Sequence, residues 1–446
     1  MAREKKSQQK VVQPTQSGVP WIRVAMIASG IIAVIALAIG QSGEILGPRF
    51  ARSPIDVGRR ALPTNVPAAS TAQPSAWPSA DQKNPINGVY LNDPIVQNAL
   101  AYVQSVADPA TLAIPPSTYI NGAKVNYSAD PSQTCYWPSN GCTRSSAGNW
   151  GPPDIVYCDK PGQWGLTFDD GPSYNIVNGS HYNDSRVLLN QLNSMNIKAT
   201  FFIIGGYVTY WPAELQALAS SGMQIAGHSW THHPTTSLTN AQIVAEVMYT
   251  QAFIYKTTGL LPRYFRPPYG DIDDRARAII NALGFRIVVW DGNYDSLDSD
   301  GVTYDVALAR IHSWFGIDQP IISLQHTLSG FTAGIAIQAL KDIVAMGGIS
   351  NQIMPVAQCL DDTLWYYGKP VTTWYNTCTQ SSCPPPLGYS GHQASPGASP
   401  GTTQAAATQA VAGLLQVASD GYTRNEHEAI ATAVMAVLLV CGMASM

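Results

Sequence analysis

Between residues 160 and 360 the chain alternates short apolar runs with longer amphipathic ones. The runs at 164–168, 199–204, 223–226, 264–266, 286–290, 321–324 and 353–356 are strand-like and predict buried strands. The stretches between them predict helices with readable ends. Trp211 and Pro212 open one that Gly222 closes. Thr239 and Gln242 form a capping box for a long one reaching Gly259, and 271–283 is ended by Gly284. Residues 304–315 and 331–346 complete the set. Strands alternating with helices predict a parallel sheet with crossover helices. The number of units predicts an α/β fold, a distorted (β/α) barrel of about seven parallel strands, with an irregular N-terminal extension.

The flanks have other patterns. Residues 41–85 are rich in Pro, Ala and Ser with no hydrophobic period, which predicts a flexible spacer. Asp93 and Pro94 read as a cap and first helical residue, leading a helix to about 107. Residues 108–157 are turn-rich and carry Trp137 and Trp150. After 362 the pattern fades, and 384–420 has a linker composition.

Both ends are apolar. Arg3, Lys5, Lys6, Lys10 and Arg23 precede the apolar run 24–40, which reads as a signal peptide or an uncleaved signal anchor. The uncharged run 429–446 follows a polar stretch and the small-residue step Ser419, Asp420, Gly421. That order is the pattern of a glycolipid (GPI) attachment signal with Ser419 as the attachment point; a C-terminal spanning helix is the alternative. The expected organisation is thus 1–40 leader, 41–85 spacer, 86–157 extension, 158–362 main domain, 363–428 extension and linker, and 429–446 removed tail.

Composition adds a compartment and excludes one partner class. Charged residues are 12% and the net charge is −4, with no basic patch for nucleic acid. Of the seven cysteines, Cys441 lies in the apolar tail. Cys135, Cys142, Cys158, Cys359, Cys378 and Cys383 remain, an even set without zinc-site spacing, which suggests disulfides. Sequons at Asn126, Asn178 and Asn183 fit a secretory route.

In such a fold, chemistry belongs at the C-terminal ends of the strands. The first ends in Asp169 and Asp170, then Gly171 and Pro172. Two carboxylates there are costly without a positive group, although Asp-Gly is also a common turn. The third runs into His228 and His232, whose spacing on one helical turn would put both imidazoles on one side. Two His and one Asp make a three-ligand set with room for water, as in a catalytic zinc site. Arg266 ends the fourth strand before Pro267 and Pro268 and needs an anion, with Asp169 the candidate. The fifth and sixth ends offer Asp291, Asp295, Asp298 and His326 as acids.

These residues resemble a known family. Thr167-Phe-Asp-Asp-Gly-Pro172, His228-Ser-Trp-Thr-His232, Arg266-Pro-Pro-Tyr-Gly270, Asp295-Ser-Leu-Asp298 and Leu324-Gln-His326 resemble the five ordered motifs of polysaccharide deacetylases with a NodB-homology domain (carbohydrate esterase family 4). The stretch 228–298 is most similar to fungal GPI-anchored chitin deacetylases. Two positions depart from the pattern: Ser299 follows the fourth motif where Trp is usual, and Thr327 follows the fifth where an acid is common. The first departure leaves Asp295 or Asp291 as substitutes for Asp298.

The resemblance implies a divalent metal, zinc foremost with cobalt or manganese as alternatives, held by Asp170, His228 and His232. It implies Asp169 as base, kept ionised by Arg266, and His326 as acid, oriented by Asp298. Tyr269 would stabilise the oxyanion through its backbone amide, and Pro268, Trp290 and Leu324 would line the substrate site. A Cys158–Cys359 disulfide is implied too, leaving Cys135–Cys142 and Cys378–Cys383 as local pairs. The expected activity is hydrolysis of N-acetyl groups of chitin and N-acetylglucosamine oligomers to chitosan and acetate. The expected protein is a monomer, secreted and held at the plasma membrane and wall. Peptidoglycan or O-acetyl xylan deacetylation, or an inactive carbohydrate-binding wall protein, are the rival readings.

Overall fold

The computed structural model describes residues 65–81 and 83–369. The expected leader, most of the spacer, the linker, the tail with Ser419, and Cys378, Cys383 and Cys441 lie outside the described residues. Among the described residues, no helix is long and apolar enough to cross a membrane.

Besides two small antiparallel hairpins (Thr118–Asn121 with Lys124–Asn126, and Ile176–Val177 with Ser180–His181), the strands are β1 (Gln163–Gly165), β2 (Thr167–Asp169), β3 (Thr200–Ile203), β4 (Gln224–Gly227), β5 (Tyr264–Phe265), β6 (Arg286–Ile287), β7 (Ile321–Ile322) and β8 (Gln352–Met354). They form two parallel sheets, β6-β5-β4-β3-β2 and β7-β1-β8. β1 and β2 are one run broken at Leu166, so they hinge the sheets together. A parallel bridge between Asp169 and His326 adds a second link. Phe168, Phe201 and Ile225 align across β2, β3 and β4 and are buried, filling the centre. No ladder closes the ring among the described residues, so the barrel is open.

The helices are α1 (Pro94–Val106), α2 (Ser185–Ser194), α3 (Pro212–Ser220), α4 (Asn240–Thr258), α5 (Asp274–Leu283), α6 (Tyr304–His312) and α7 (Gly330–Ala345). The Thr239–Gln242 capping box and the left-handed Gly259 cap bound α4 as the sequence predicts. α2 is an addition. Its apolar face is Leu188, Leu189 and Leu192, set among Asn190, Asn193 and Ser194, types that favour caps and turns over helix interiors. Asp184 starts it by accepting from the Arg186 and Val187 amides.

Two boundary expectations are corrected. Residues 65–81 are not a free spacer. Ala68 is fully buried, Gln251 donates to the carbonyls of Ala68 and Ser70, and the Trp77 ring stacks on Trp230 at 5.8 Å. A few well-placed apolar residues outweigh the Pro/Ala/Ser composition and make a strap over α4. The domain also runs past 362. Asp362 forms a buried ion pair with Arg263 at 2.8 Å, and Trp365, Tyr366 and Tyr367 are buried.

Cys158 and Cys359 are bridged, with Cα atoms 5.1 Å apart across a separation of 201 residues, as are Cys135 and Cys142. The long bridge joins the entry to β1 with the segment after β8. In the chain-entropy account a loop of that length stabilises by about 5 kcal/mol.

Candidate active site

The expected metal, catalytic and lining residues lie in the segments that follow strands: Asp169 and Asp170 end β2 and begin its loop, and Pro268 and Tyr269 form a short 3-10 turn after β5. The loops bend sharply: Asp170, Ser229, His232, Tyr269 and Leu297 are non-glycine residues at φ of 70°, 62°, 59°, 60° and 56°. Each left-handed residue costs roughly 1–2 kcal/mol, and such strain gathers where side-chain placement matters. This corrects the helical-turn expectation for His228 and His232. They lie in a bend, not a helix, and Ser229 and His232 in left-handed conformation bring the two rings together.

Asp170, His228 and His232 converge. Asp170 Oδ1 lies 3.3 Å from His228 Nε2 and 3.1 Å from His232 Nε2, and the two Nε2 atoms are 3.2 Å apart. His228 Nδ1 donates to the Arg266 carbonyl at 2.7 Å, so its Nε2 carries the lone pair. Asp170 Oδ1 is buried and has no hydrogen-bond donor. Three electron-rich atoms packed this closely fit a cation. The separations match the edges, about 3.3 Å, of a tetrahedron with bonds of ~2.0–2.1 Å.

Beside this triad sits an arginine-held carboxylate. Arg266 is fully buried and donates from Nη1 to Asp169 Oδ1 at 2.8 Å and to Thr167 Oγ1 at 2.7 Å. Its guanidinium packs over the Phe202 ring at 4.2 Å. One Asp169 oxygen is thus fixed, and Oδ2 turns toward the triad, 3.7 Å from His228 Nε2. The charge-assisted hydrogen bond to Arg266 holds the Asp169 carboxylate in one orientation.

The opposite wall holds a second pair. Asp298 Oδ1 accepts from His326 Nδ1 at 2.6 Å, and its Oδ2 accepts from the His326 backbone amide at 3.0 Å. Asp295 instead accepts from Trp290 Nε1 at 3.3 Å and from the Leu297 amide, and Asp291 from Tyr157. Of the three carboxylates open in the sequence, Asp298 is the one facing His326. Burial pushes the His326 imidazole down, but the hydrogen bond and charge of Asp298, with Asp170 and Asp169 behind them, raise it to about 10. His326 is therefore a charged ring that can release a proton from Nε2.

The lining residues fall around these groups. Tyr269 is 37% exposed, with its ring 4.5 Å from that of His232. Pro268, Trp290 and Leu324 are buried. Trp137 of the extension packs on Trp290 at 4.6 Å and occupies the space a side chain at Gly270 would need. Asn126 and Asn178 are exposed, whereas Asn183 is half-buried and its sequon partner Ser185 is buried. The sequence reading missed Thr167 as a second anchor of Arg266, and it missed Glu246 beneath the histidine loop. A lone carboxylate within the apolar run of α4 was the available signal for Glu246.

Residues 157–288 match the family model described as Polysaccharide deacetylase. Chitin deacetylase 1 of Cryptococcus neoformans is 35% identical over 243 residues, covering 51% of this chain and 48% of the relative. Chitin deacetylase of Amylomyces rouxii is 36% identical over 252 residues, covering 54% and 56%. The chain therefore spans about half the length of these curated relatives. Among solved structures, the chitin deacetylase of Colletotrichum lindemuthianum is similar at 23% identity and a TM-score of 0.42, over 48% of this chain and 94% of that one. The family match takes in the segments that supply Asp169, Asp170, His228, His232, Arg266 and Tyr269 and ends before Asp298 and His326, so this part of the chain is similar to polysaccharide deacetylases, with fungal chitin deacetylases among its relatives.

Proposed function

We propose that this protein is a zinc-dependent chitin deacetylase, hydrolysing the N-acetyl groups of N-acetylglucosamine polymers to acetate and free amine. The observation that carries the reading is the convergence of Asp170, His228 and His232 between two proton-handling pairs, Asp169–Arg266 and Asp298–His326. A divalent ion held by the triad would lower the pKa of water and polarise the amide carbonyl. Asp169 Oδ2 accepts the proton of the attacking water, and Arg266 orients that carboxylate through its other oxygen. The Tyr269 backbone amide faces the developing oxyanion. His326 gives its Nε2 proton to the departing nitrogen, which otherwise leaves poorly, while Asp298 stabilises the imidazolium. Leu324, Trp290 and Pro268 shape the pocket for the acetyl methyl group. The fungal relatives support chitin as the substrate, and the disulfides support secretion.

Acetate release from N-acetylglucosamine oligomers tests the reading, with acetylated xylan and peptidoglycan in parallel. Chelator-sensitive release from the chitin oligomers, restored by zinc, is expected. Release from xylan or peptidoglycan alone overturns the substrate, and binding without release overturns the activity. We further propose that the protein is held by a glycolipid near Ser419. An anchor-specific phospholipase should free the activity from cells, and activity that stays membrane-bound points to a true span.

A further inference from the structure

Glu246 sits on α4 with 1% of its surface exposed. Its four hydrogen-bond partners are all uncharged donors. Oε2 accepts from the backbone amides of Trp230 at 2.9 Å and Thr231 at 2.7 Å, and Oε1 accepts from the Thr231 hydroxyl at 2.7 Å and the Ile86 amide at 3.1 Å. A carboxylate this deep is costly and persists where every lone pair is used. Here three of the four are used on the loop between His228 and His232. That loop has no helical or sheet ladder, so its inward amides would otherwise be unpaired. The same loop is tied on its other side, where the Gly205 and Gly206 amides donate to the Ser229 and Trp230 carbonyls. Trp230 Nε1 in turn donates to the Ser79 carbonyl of the strap.

We infer that Glu246 is a positioning residue of the metal site: it fixes the backbone between the two histidines, sets the approach of their Nε2 atoms, and ties that loop to the N-terminal segment at Ile86. The inference rests on the metal reading proposed above. Losing a group that hydrogen-bonds a metal ligand typically costs about 10–100-fold in metal affinity, and Glu246 acts one step further out, through the loop backbone, so that range is the upper scale of the expected effect.

The test compares Glu246→Gln, Thr231→Val and Thr231→Ser in the full chain. Zinc affinity is measured by competition, the cobalt(II) visible spectrum reports ligand geometry, and circular dichroism reports folding. In Glu246→Gln, whichever way the carboxamide turns, its NH₂ meets at least one backbone amide that can only donate: Ile86 on one side, or Trp230 and Thr231 on the other. A folded protein with zinc affinity lowered by up to about 10–100-fold and an altered cobalt spectrum is expected. Thr231→Val removes one donor and should lose less, and Thr231→Ser, which restores the hydroxyl, should recover it. Wild-type zinc affinity and cobalt spectrum in folded Glu246→Gln overturn the inference alone. Should Glu246→Gln fail to fold, the threonine pair decides: equal zinc affinity in Thr231→Val and Thr231→Ser overturns the inference. Absence of zinc binding by the wild-type chain overturns the metal reading and the inference with it.

Discussion

The two walls of the site solve opposite electrostatic problems. On one wall, Asp298 and His326 neutralise each other at 2.6 Å, and the pair is complete without any added ion. On the other, Asp170 and two imidazole nitrogens crowd within 3.3 Å, and the Asp170 oxygen has no donor. One wall is finished by the chain alone, and the other needs a cation from outside. Proton transfer and ion binding can therefore be separated by substitution. Asp169 stands between the walls, with one oxygen held by Arg266 and the other turned toward the triad.

The largest break should come from Asp170→Asn. It removes one of three protein ligands, so zinc content and turnover should vanish together in a folded protein, as read by metal analysis and acetate release. Next is His326→Ala, which should keep zinc but lose about 10²–10⁴ in kcat. Parallel loss of zinc there would mean the walls are not independent.

A subtler change is Asp298→Asn. It removes the strongest influences that raise His326, so the ring loses its proton at lower pH. The acid must be protonated to act, and the alkaline limb of kcat/KM should therefore move to lower pH. Stability follows the same sign. The folded value of about 10 lies above the ordinary 6.5, so the pair's contribution is fully present below about pH 6.5 and is lost as pH rises through about 10. Melting curves of wild type and Asp298→Asn across that window should converge at its alkaline end. A divalent ion on Asp170 opposes the carboxylates that help raise His326, so zinc loading should move the ring's own titration, read by NMR, to lower pH.

Far from both walls, replacing Cys158 and Cys359 by Ser should lower unfolding stability, by up to about 5 kcal/mol in the chain-entropy account. Zinc stoichiometry in the folded fraction should be unchanged. Loss of zinc in that fraction would mean the bridge shapes the site as well as the chain.

The chemistry-bearing residues were legible because the reaction needs charged groups where packing alone would not put them, at strand ends. The alternation of strands and helices was legible for the same reason that the core is buried: parallel strands covered on both faces read as apolar runs. What failed was geometry set by loops. The spacing of His228 and His232 is compatible with a helical turn, and only the left-handed backbone at Ser229 and His232 shows that a bend does the work. Asp298 could not be chosen over Asp295 and Asp291 because the loop's path, with Leu297 left-handed, decides which carboxylate faces His326. The strap at 65–81 was hidden by its composition, since Ala68 and Trp77 pack through tertiary contacts that no local pattern records.

The most direct test of the division between the walls is zinc stoichiometry measured together with acetate release in Asp169→Asn, beside Asp170→Asn under one set of conditions. The account predicts that Asp169→Asn retains one equivalent of zinc, still binds chitin oligomers, and loses about 10²–10⁴ in turnover. Retention of zinc in Asp170→Asn with its loss in Asp169→Asn would contradict it, as would near-full activity in a zinc-loaded Asp169→Asn.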